Sequence, residues 1–204
     1  MRLNLGCGSQ VPHGWVNVDY ALGARFAKIP FLRLLNSKLR LFELDWNERI
    51  CLHDLRKEFP WKDSTIDVVY SSHTLEHFSR EDGRRFLGEC HRVLRDNGII
   101  RVVVPDLRYH VSEYMEGRLR ADHFVEKLGV LCESRKDTLK SRLAPFIHFP
   151  HKCMYDTSSL LEITRKIGFR ASRREPFDSD IKGIDLIEVK GRTENAVIVE
   201  GRKR

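Results

Sequence analysis

Short apolar runs recur along the chain and are separated by polar or amphipathic stretches. Residues 66–71 and 99–104 are almost continuously apolar and rich in β-branched side chains, as is typical of strands covered on both faces. Similar but shorter runs predict further strands at residues 2–5, 15–18 and 50–54, after Phe169, and at residues 196–200. The pattern therefore predicts a sheet made largely of buried strands.

Apolar residues at helical spacing predict helices between these strands. The clearest helix begins after Ser79, whose hydroxyl suits an N-cap, and it should stop at Asn97-Gly98, where a left-handed residue fits. Its apolar stripe consists of Phe86, Leu87, Cys90, Val93 and Leu94.

Two further helices follow from the same pattern. One begins at Asp156 or Thr157 and stops at Gly168, and the other covers residues 21–44, with a break at Pro30. Strands that alternate with helices predict an α/β protein with a parallel sheet and helices on both faces.

Composition agrees with one folded domain over residues 1–204. Apolar residues make up 41% of the 204 residues and charged residues 32%, which excludes a generally disordered chain. No apolar run is long enough to span a membrane, and the first residues contain no apolar leader, so we expect a cytoplasmic protein. The five cysteines are scattered without a CxxC pair, which predicts reduced thiols.

The net charge of +7 leaves two interpretations open. A basic but merely solvated surface is the simpler one, and an anionic partner is the other. Apolar and basic residues interleave at 25–40, which core-facing helices explain, although a helix on the inner face of the membrane would show the same pattern.

The first predicted strand runs directly into Gly6-Cys7-Gly8, and the second ends at Asp19. Glycines there let a ligand approach the backbone, and a carboxylate one strand later suits the two hydroxyls of a ribose. A third glycine at the dinucleotide spacing is absent, so a pyrophosphate site and an NAD-dependent oxidoreductase are disfavoured. A nucleoside without phosphates fits better.

Four segments together resemble the class I S-adenosylmethionine-dependent methyltransferases, and the small "type 11" group most of all. They are residues 3–8, 15–19, 53–55 and 66–77, followed by 91–100 at the turn before strand five. Residues 151–156 and the helix up to Phe169 resemble bacterial members associated with cell-surface polysaccharide synthesis. The resemblance implies a Rossmann-like three-layer sandwich whose seven-stranded, mostly parallel sheet has an antiparallel last strand.

The resemblance also implies where S-adenosyl-L-methionine binds. Gly6, Cys7 and Gly8, together with Asn4, would line its methionine part, and Asp19 would hold the ribose hydroxyls. Asp54 and Leu55 would meet the adenine, and a backbone carbonyl at Ser72 would accept from the amino group. Many members carry an acidic residue where this chain has Asn4.

Histidines are the candidates for proton transfer, because an imidazole titrates near neutral pH. His73 follows strand four and is the first candidate for a general base, and His151 is the second. His110, His148 and Tyr155 are the candidate substrate-binding residues, within an acceptor-side cap at residues 106–155, and residues 176–195 would complete the acceptor side. His148, His151 and Cys153 could ligate zinc, but no second pair completes four ligands, so we expect no metal site.

These observations predict an O-methyltransferase for a sugar or another small hydroxylated substrate, with anionic and lipid-linked sugars among the acceptors. Methyltransferases that act on amino groups carry an Asn/Asp-Pro-Pro element after strand four. This chain has Ser71-Ser72-His73-Thr74 there, which argues against an amino group as the methyl acceptor. Two alternatives stay open: an RNA methyltransferase, without any visible RNA-binding module, and a non-catalytic partner protein that keeps the fold. DNA is not an expected partner.

Overall fold

The computed structural model describes residues 1–29, 46–130 and 150–204. Its strands are β1 (Arg2–Leu5), β2 (Val16–Asp19), β3 (Cys51–Leu52), β4 (Ile66–Ser72), β5 (Leu94–Pro105), β6 (Phe169–Arg173) and β7 (Ala196–Lys203). Its helices are α1 (Leu22–Ala27), α2 (Arg80–Val93), α3 (Leu107–Met115), α4 (Ala121–Lys127), α5 (Thr157–Ile167) and α6 (Lys190–Thr193). Single 3₁₀ turns are formed by Leu75–His77 and Ile184–Leu186.

The strands form one seven-stranded sheet in the order β3-β2-β1-β4-β5-β7-β6. Strand β7 runs antiparallel to both of its neighbours, and the other pairs are parallel. The predicted fold class, including the antiparallel last strand, is therefore confirmed. The strand order reverses between β1 and β4, and in such sheets ligands bind at the carboxyl ends of the strands beside this reversal.

The two strands with almost continuously apolar sequences, β4 and β5, are buried in the structure. Six of the seven residues of β4 are buried, as are the residues of β5 from Ile99 to Val104. Helix α2 packs its predicted stripe inward, since Phe86, Leu87, Cys90 and Val93 are fully buried. Its N-cap is Ser79, which accepts a hydrogen bond from the backbone of Asp82 at 3.1 Å.

The predicted end of α2 at Asn97-Gly98 is wrong. The helix ends at Val93, and Leu94 already pairs with Ile66 as the first residue of β5. The ladder then shifts and resumes at Val68 and Ile99, so the left-handed Asn97 (φ 60°) turns the chain inside the strand. Pairing with β4 outweighs helix continuation, because Leu94 is buried on the sheet.

Helix α5 has the predicted ends. The Asp156 carboxylate accepts from the backbone of Ser159 at 2.8 Å, and the Ser159 hydroxyl closes a reciprocal capping box. Gly168 (φ 121°) ends the helix, and Phe169 opens β6. Strand β3 is shorter than predicted, and of the helix predicted at 21–44 only α1 falls within the described residues.

A buried ion cluster fastens the segment before β7 to the sheet. The Arg101 guanidinium donates two hydrogen bonds to Glu188, each at 2.8 Å, and one to Glu200 at 3.1 Å. Arg101 and Glu188 side chains are both 0% exposed. Because Arg101 lies in the middle of β5, this cluster fixes the position of residues 175–188, and therefore of α6, over the sheet.

The predictions about the cysteines and about membrane-spanning segments can be compared with the structure within the described residues. The four cysteines among them, Cys7, Cys51, Cys90 and Cys153, are free thiols. No helix within the described ranges combines the length and the apolar character needed to cross a membrane.

Candidate active site

A cleft of about 260 Å³ opens at the carboxyl ends of β1, β2 and β4. It lies where the strand order reverses, at the position expected for a ligand. Its walls include residues from each of the three described ranges. The lining residues are Gly6, Gly8, Asp19, Tyr20, Ala21, Asp54, Leu55, Arg56, His73, Thr74, His77, Phe78, Lys152 and Arg192.

Two glycines shape the floor of the cleft. Gly6 has a φ of 72°, and a Cβ on it would lie 1.9 Å from Thr74 Oγ1, so no other residue fits this turn. Gly8 also has a positive φ, and its amide donates to Asp19 Oδ2 at 2.9 Å. The loop after β1 is thus held close to the end of β2 and open toward the cleft.

Asn4 and Cys7 lie behind this loop and are not among the described residues that line the cleft. The Asn4 side chain donates to the Gln10 carbonyl at 3.0 Å and to Asn17 Oδ1 at 2.9 Å, which ties the loop to β2. Cys7 is buried, and burial raises the pKa of its thiol to about 12. Both residues position the loop, so Asn4 has a structural role that an acidic side chain would not fill in the same way.

The Asp19 carboxylate faces the cleft from the end of β2. Each of its oxygens accepts one backbone hydrogen bond, from Gly8 at 2.9 Å and from Ala21 at 2.8 Å. A carboxylate has about four acceptor positions, so two remain for the adjacent hydroxyls of a ribose. This arrangement fits the predicted role of Asp19.

Asp54 and Leu55 line the next part of the wall, as the sequence predicts. Leu55 is largely buried, with an apolar surface on the cleft. Asp54 accepts two hydrogen bonds from the Arg56 guanidinium, each at 2.8 Å, and these hold the pKa of the Asp54 carboxyl below its usual range. Arg56 is a cleft residue that the sequence analysis missed.

At the end of β4, the side chain of Ser72 is buried outside the cleft, and its carbonyl accepts from Thr74 Oγ1 at 3.3 Å. His73 adopts a left-handed conformation (φ 52°) that turns its ring into the cleft. Positive φ values are uncommon outside glycine, with asparagine, aspartate and histidine the most frequent exceptions, and such residues cluster at functional sites.

Both ring nitrogens of His73 face acceptors. Nε2 donates to the carbonyl of Arg192 at 2.8 Å, and Nδ1 lies 3.4 Å from Glu76 Oε1. Burial lowers the pKa of His73, but the contacts with Glu76 and the Arg192 carbonyl outweigh it, so the pKa is raised overall. Nε2 is therefore occupied as a donor to a backbone carbonyl, and the role of His73 as a general base stays a prediction.

The predicted acceptor-side residues do not all lie at the cleft. His151 precedes the cleft residue Lys152, and its ring lies 4.9 Å from that of the cleft residue His77. Tyr155 is buried toward α2, where burial raises the pKa of its hydroxyl, and His110 on α3 is also outside the cleft wall. His148 lies outside the described residues.

Several residues that line the cleft were not predicted as site residues from the sequence, and they differ in how strong a sequence signal they had. His77 is the last residue of the 66–77 segment and Phe78 follows it, so their position shortly after a strand end was a usable signal. Lys152 and Arg192 lie in the segments 106–155 and 176–195 that were expected on the acceptor side, but no local pattern singled out these two side chains.

The fold and cleft define a Rossmann-like α/β protein with a nucleoside-type site. Residues 3–102 match the family described as a methyltransferase domain. The comparison with curated proteins gives no match.

Solved structures share the fold at low sequence identity. A SAM-dependent methyltransferase from Methanosarcina mazei has a TM-score of 0.54 at 15% identity, over 99% of this chain and 91% of that one. One from Archaeoglobus fulgidus has 0.51 at 14%, over 99% and 85%. A Thermotoga maritima protein described as a possible histamine N-methyltransferase has 0.50 at 16%, over 100% and 81%.

The family match over residues 3–102, together with the fold and the cleft, indicates a methyltransferase with S-adenosylmethionine as its cofactor. The residues around the cleft fit this cofactor. The glycine loop leaves a cradle that a Cβ would fill, Asp19 keeps acceptor positions for a diol, and Leu55 supplies apolar surface for a base.

Proposed function

We propose that this protein methylates a hydroxyl of a small acceptor, with acidic sugars and nucleotide-sugars as the first classes to consider. The observation that carries the proposal is a pair of cations at the cleft, Lys152 and Arg192. Neither side chain forms an ion pair with any residue in the described ranges. Two cations at one cleft without an ion-pair partner among the described residues favour ligands with negative charge.

One of these cations has a place beside the cofactor. The Arg192 guanidinium would lie 3.6 Å from a Cβ on Gly8, so it stands directly over the glycine loop. We assign it to the carboxylate of the methionine part, which a guanidinium can bind with two hydrogen bonds. Lys152 is then left for an anionic group of the acceptor.

S-adenosylmethionine, when bound, supplies a methyl group on a sulfonium, which carries the difficult chemistry. The chain's own task is to hold and orient both ligands. Asp19 and Arg192 hold the cofactor at its two polar ends, while Leu55 and Phe78 keep water from the apolar wall. His73, whose Nε2 donates to the carbonyl of Arg192, links the carboxyl end of β4 to the segment that carries this guanidinium.

The acceptor side of the cleft is formed by segments that approach from the second half of the chain. Lys152 comes from the predicted cap at 106–155, and Arg192 comes from helix α6, between β6 and β7. The resemblance of residues 151–156 to bacterial proteins associated with polysaccharide synthesis supports a sugar as the acceptor.

The test is an acceptor screen with the purified full chain. Nucleotide-sugars, sugar acids, neutral sugars and RNA are each incubated with S-adenosylmethionine, and both S-adenosylhomocysteine and a methylated product are measured. We expect an anionic sugar to be methylated, and Lys152→Ala to raise KM for it at least several-fold. The exposed Lys127→Ala serves as the matched control. Methylation of RNA alone, or of neutral sugars with no effect of Lys152→Ala, would contradict the proposal.

A further inference from the structure

Glu76 is a buried carboxylate with unusual surroundings. Its side chain is 0% exposed, and neither carboxylate oxygen accepts a well-aligned hydrogen bond from the described residues. The contact with His73 Nδ1, at 3.4 Å, reaches Oε1 alone. Burying a carboxylate without hydrogen-bond donors costs free energy. A cation near Oε2 would therefore be expected to offset its negative charge.

His151 points a ring nitrogen at this carboxylate. Its Nδ1 donates to the carbonyl of Leu128 at 2.7 Å, which leaves the lone pair of Nε2 directed toward Glu76 Oε1, 4.0 Å away. That distance is too long for a hydrogen bond. A histidine whose other nitrogen donates to a backbone carbonyl has the tautomer and orientation of a metal ligand.

The position of His151 is fixed by its surroundings. Its amide donates to the Gly129 carbonyl at 2.9 Å, and a Cβ on Gly129 would lie 2.9 Å from the His151 ring. The segment is also tied to Glu76 itself, because the amides of Lys152 and Cys153 both donate to the Glu76 carbonyl. The imidazole is therefore held against the carboxylate before any ligand binds.

His77 completes the group. Its Nδ1 lies 3.5 Å from the Pro150 carbonyl, and its ring packs edge-on against that of His151. One ligand atom from each of Glu76, His77 and His151 lies within 4.8 Å of the others. His77 also lines the cleft, so this cluster borders the site already described.

We propose that Glu76, His77 and His151 bind one divalent transition-metal ion at the edge of the cleft. Two imidazoles and one carboxylate suit zinc, iron, cobalt or manganese, and three protein ligands leave coordination positions open. Small side-chain movements are required, since ligand atoms that share a metal lie closer together than 4.0 Å.

The role of the metal deepens the proposed function and rests on it. An open position facing the cleft would take the acceptor oxygen and lower the pKa of its hydroxyl. The hydroxyl proton passes to water, the oxygen forms a bond to the methyl carbon, and the carbon–sulfur bond breaks with its electron pair on sulfur. The metal would thus supply the activation that His73, whose Nε2 donates to the Arg192 carbonyl, does not.

The test uses tag-free full-length protein freed of metal by chelation. Co²⁺ is titrated and followed by its visible absorption, and metal content is measured by mass spectrometry. We expect one ion per chain, with affinity lowered more than about 10–100-fold in Glu76→Gln and His151→Ala. His123→Ala, which removes an exposed histidine on α4, should bind as the wild type does. Far-UV circular dichroism verifies that each variant is folded, and Glu76→Gln preserves side-chain volume.

Two outcomes would overturn the proposal. One is wild-type protein that binds no cobalt, which would show that Glu76, His77 and His151 do not form a metal site. The other is cobalt binding unchanged in Glu76→Gln and His151→Ala. Calorimetric titration of the metal-free protein with S-adenosylmethionine separates this failure from failure of the cofactor site, because the two ligands are measured independently.

Discussion

The ring of His73 and the backbone carbonyl of Arg192 form a 2.8 Å hydrogen bond across 119 residues of sequence. This bond ties the end of β4 to α6, and it places the Arg192 side chain above the glycine loop. The cleft is therefore closed on one side by a segment that belongs to the last part of the chain.

Arg192→Ala should weaken binding of S-adenosylmethionine about tenfold, or about 1.4 kcal/mol, because the carboxylate loses its guanidinium partner. The backbone carbonyl that holds His73 is kept in this variant. Isothermal titration at low and high salt measures the effect, which should shrink as salt screens the charge. Lys190→Ala, an exposed cation on the same helix, is the control, and an equal loss there would refute the assignment.

Asp19→Ala should reduce affinity for S-adenosylmethionine about 100-fold, since hydrogen bonds to a charged group contribute about 1.5–3 kcal/mol each. The variant also leaves the amides of Gly8 and Ala21 without their acceptor, so the loop after β1 loosens. Calorimetry gives the affinity, and Asp122→Ala on α4 is the exposed control. Wild-type affinity in Asp19→Ala would show that the diol is held elsewhere.

Gly6→Ala should destabilise the fold by about 1–3 kcal/mol and abolish cofactor binding. The new Cβ would lie 1.9 Å from Thr74 Oγ1, at a backbone φ of 72°. Gly14→Ala separates the two causes, because Gly14 has a φ of 79° with nothing within 4 Å of its Cβ. Denaturant unfolding should show the smaller loss for Gly14→Ala, and equal losses would mean that the Thr74 contact is relieved by local movement.

Arg101→Met should cost about 3–5 kcal/mol of unfolding free energy, because it leaves Glu188 and Glu200 buried without a cation. The matched change is Arg202→Met, which removes an ion pair to Asp180 whose two side chains are about 40% exposed. That pair is expected to contribute about 0–1 kcal/mol. Urea unfolding of both variants compares the two sites directly, and similar losses would argue against a cost of buried charge.

Asp156→Ala should destabilise the protein by about 1 kcal/mol near neutral pH, as expected for an N-cap. Hydrogen bonds from Ser159 and Ser158 lower the pKa of Asp156 to about 2 in the folded state, below its unfolded value of about 3.9. The contribution is therefore complete above the unfolded pKa and is lost as the pH falls toward 2. Denaturant unfolding of both proteins over this range should show the difference shrinking, and a constant difference would contradict the assignment.

Much of the architecture was predictable from local pattern. The buried strands β4 and β5 have continuous apolar sequences, and Ser79, Asp156 and Gly168 mark helix ends by chemistry that acts over a few residues. The end of α2 was not predictable, because pairing of Leu94 with Ile66 competes with the local signal at Asn97-Gly98.

Most residues on the cofactor side of the cleft could likewise be predicted from the sequence. Gly6, Gly8, Asp19, Asp54 and Leu55 all follow strand ends, and parallel strands bring their carboxyl ends to one edge of the sheet. Asn4, Cys7 and Ser72 adjoin the same motifs, but the side chains point into the interior. Which neighbour faces the cleft depends on loop conformation that spacing does not specify.

The sequence by itself determined the order of strands and helices along the chain and the positions after strand ends that line the cleft. Only the tertiary structure decided that Arg192 stands over Gly8, that both nitrogens of His73 face acceptors, and that His77 and His151 converge on Glu76. The physical reason is distance along the chain. Local sequence patterns indicate which residues are buried and where turns form. The contacts named here join segments that meet only when the sheet has formed and Arg101 has fixed residues 175–188 over it.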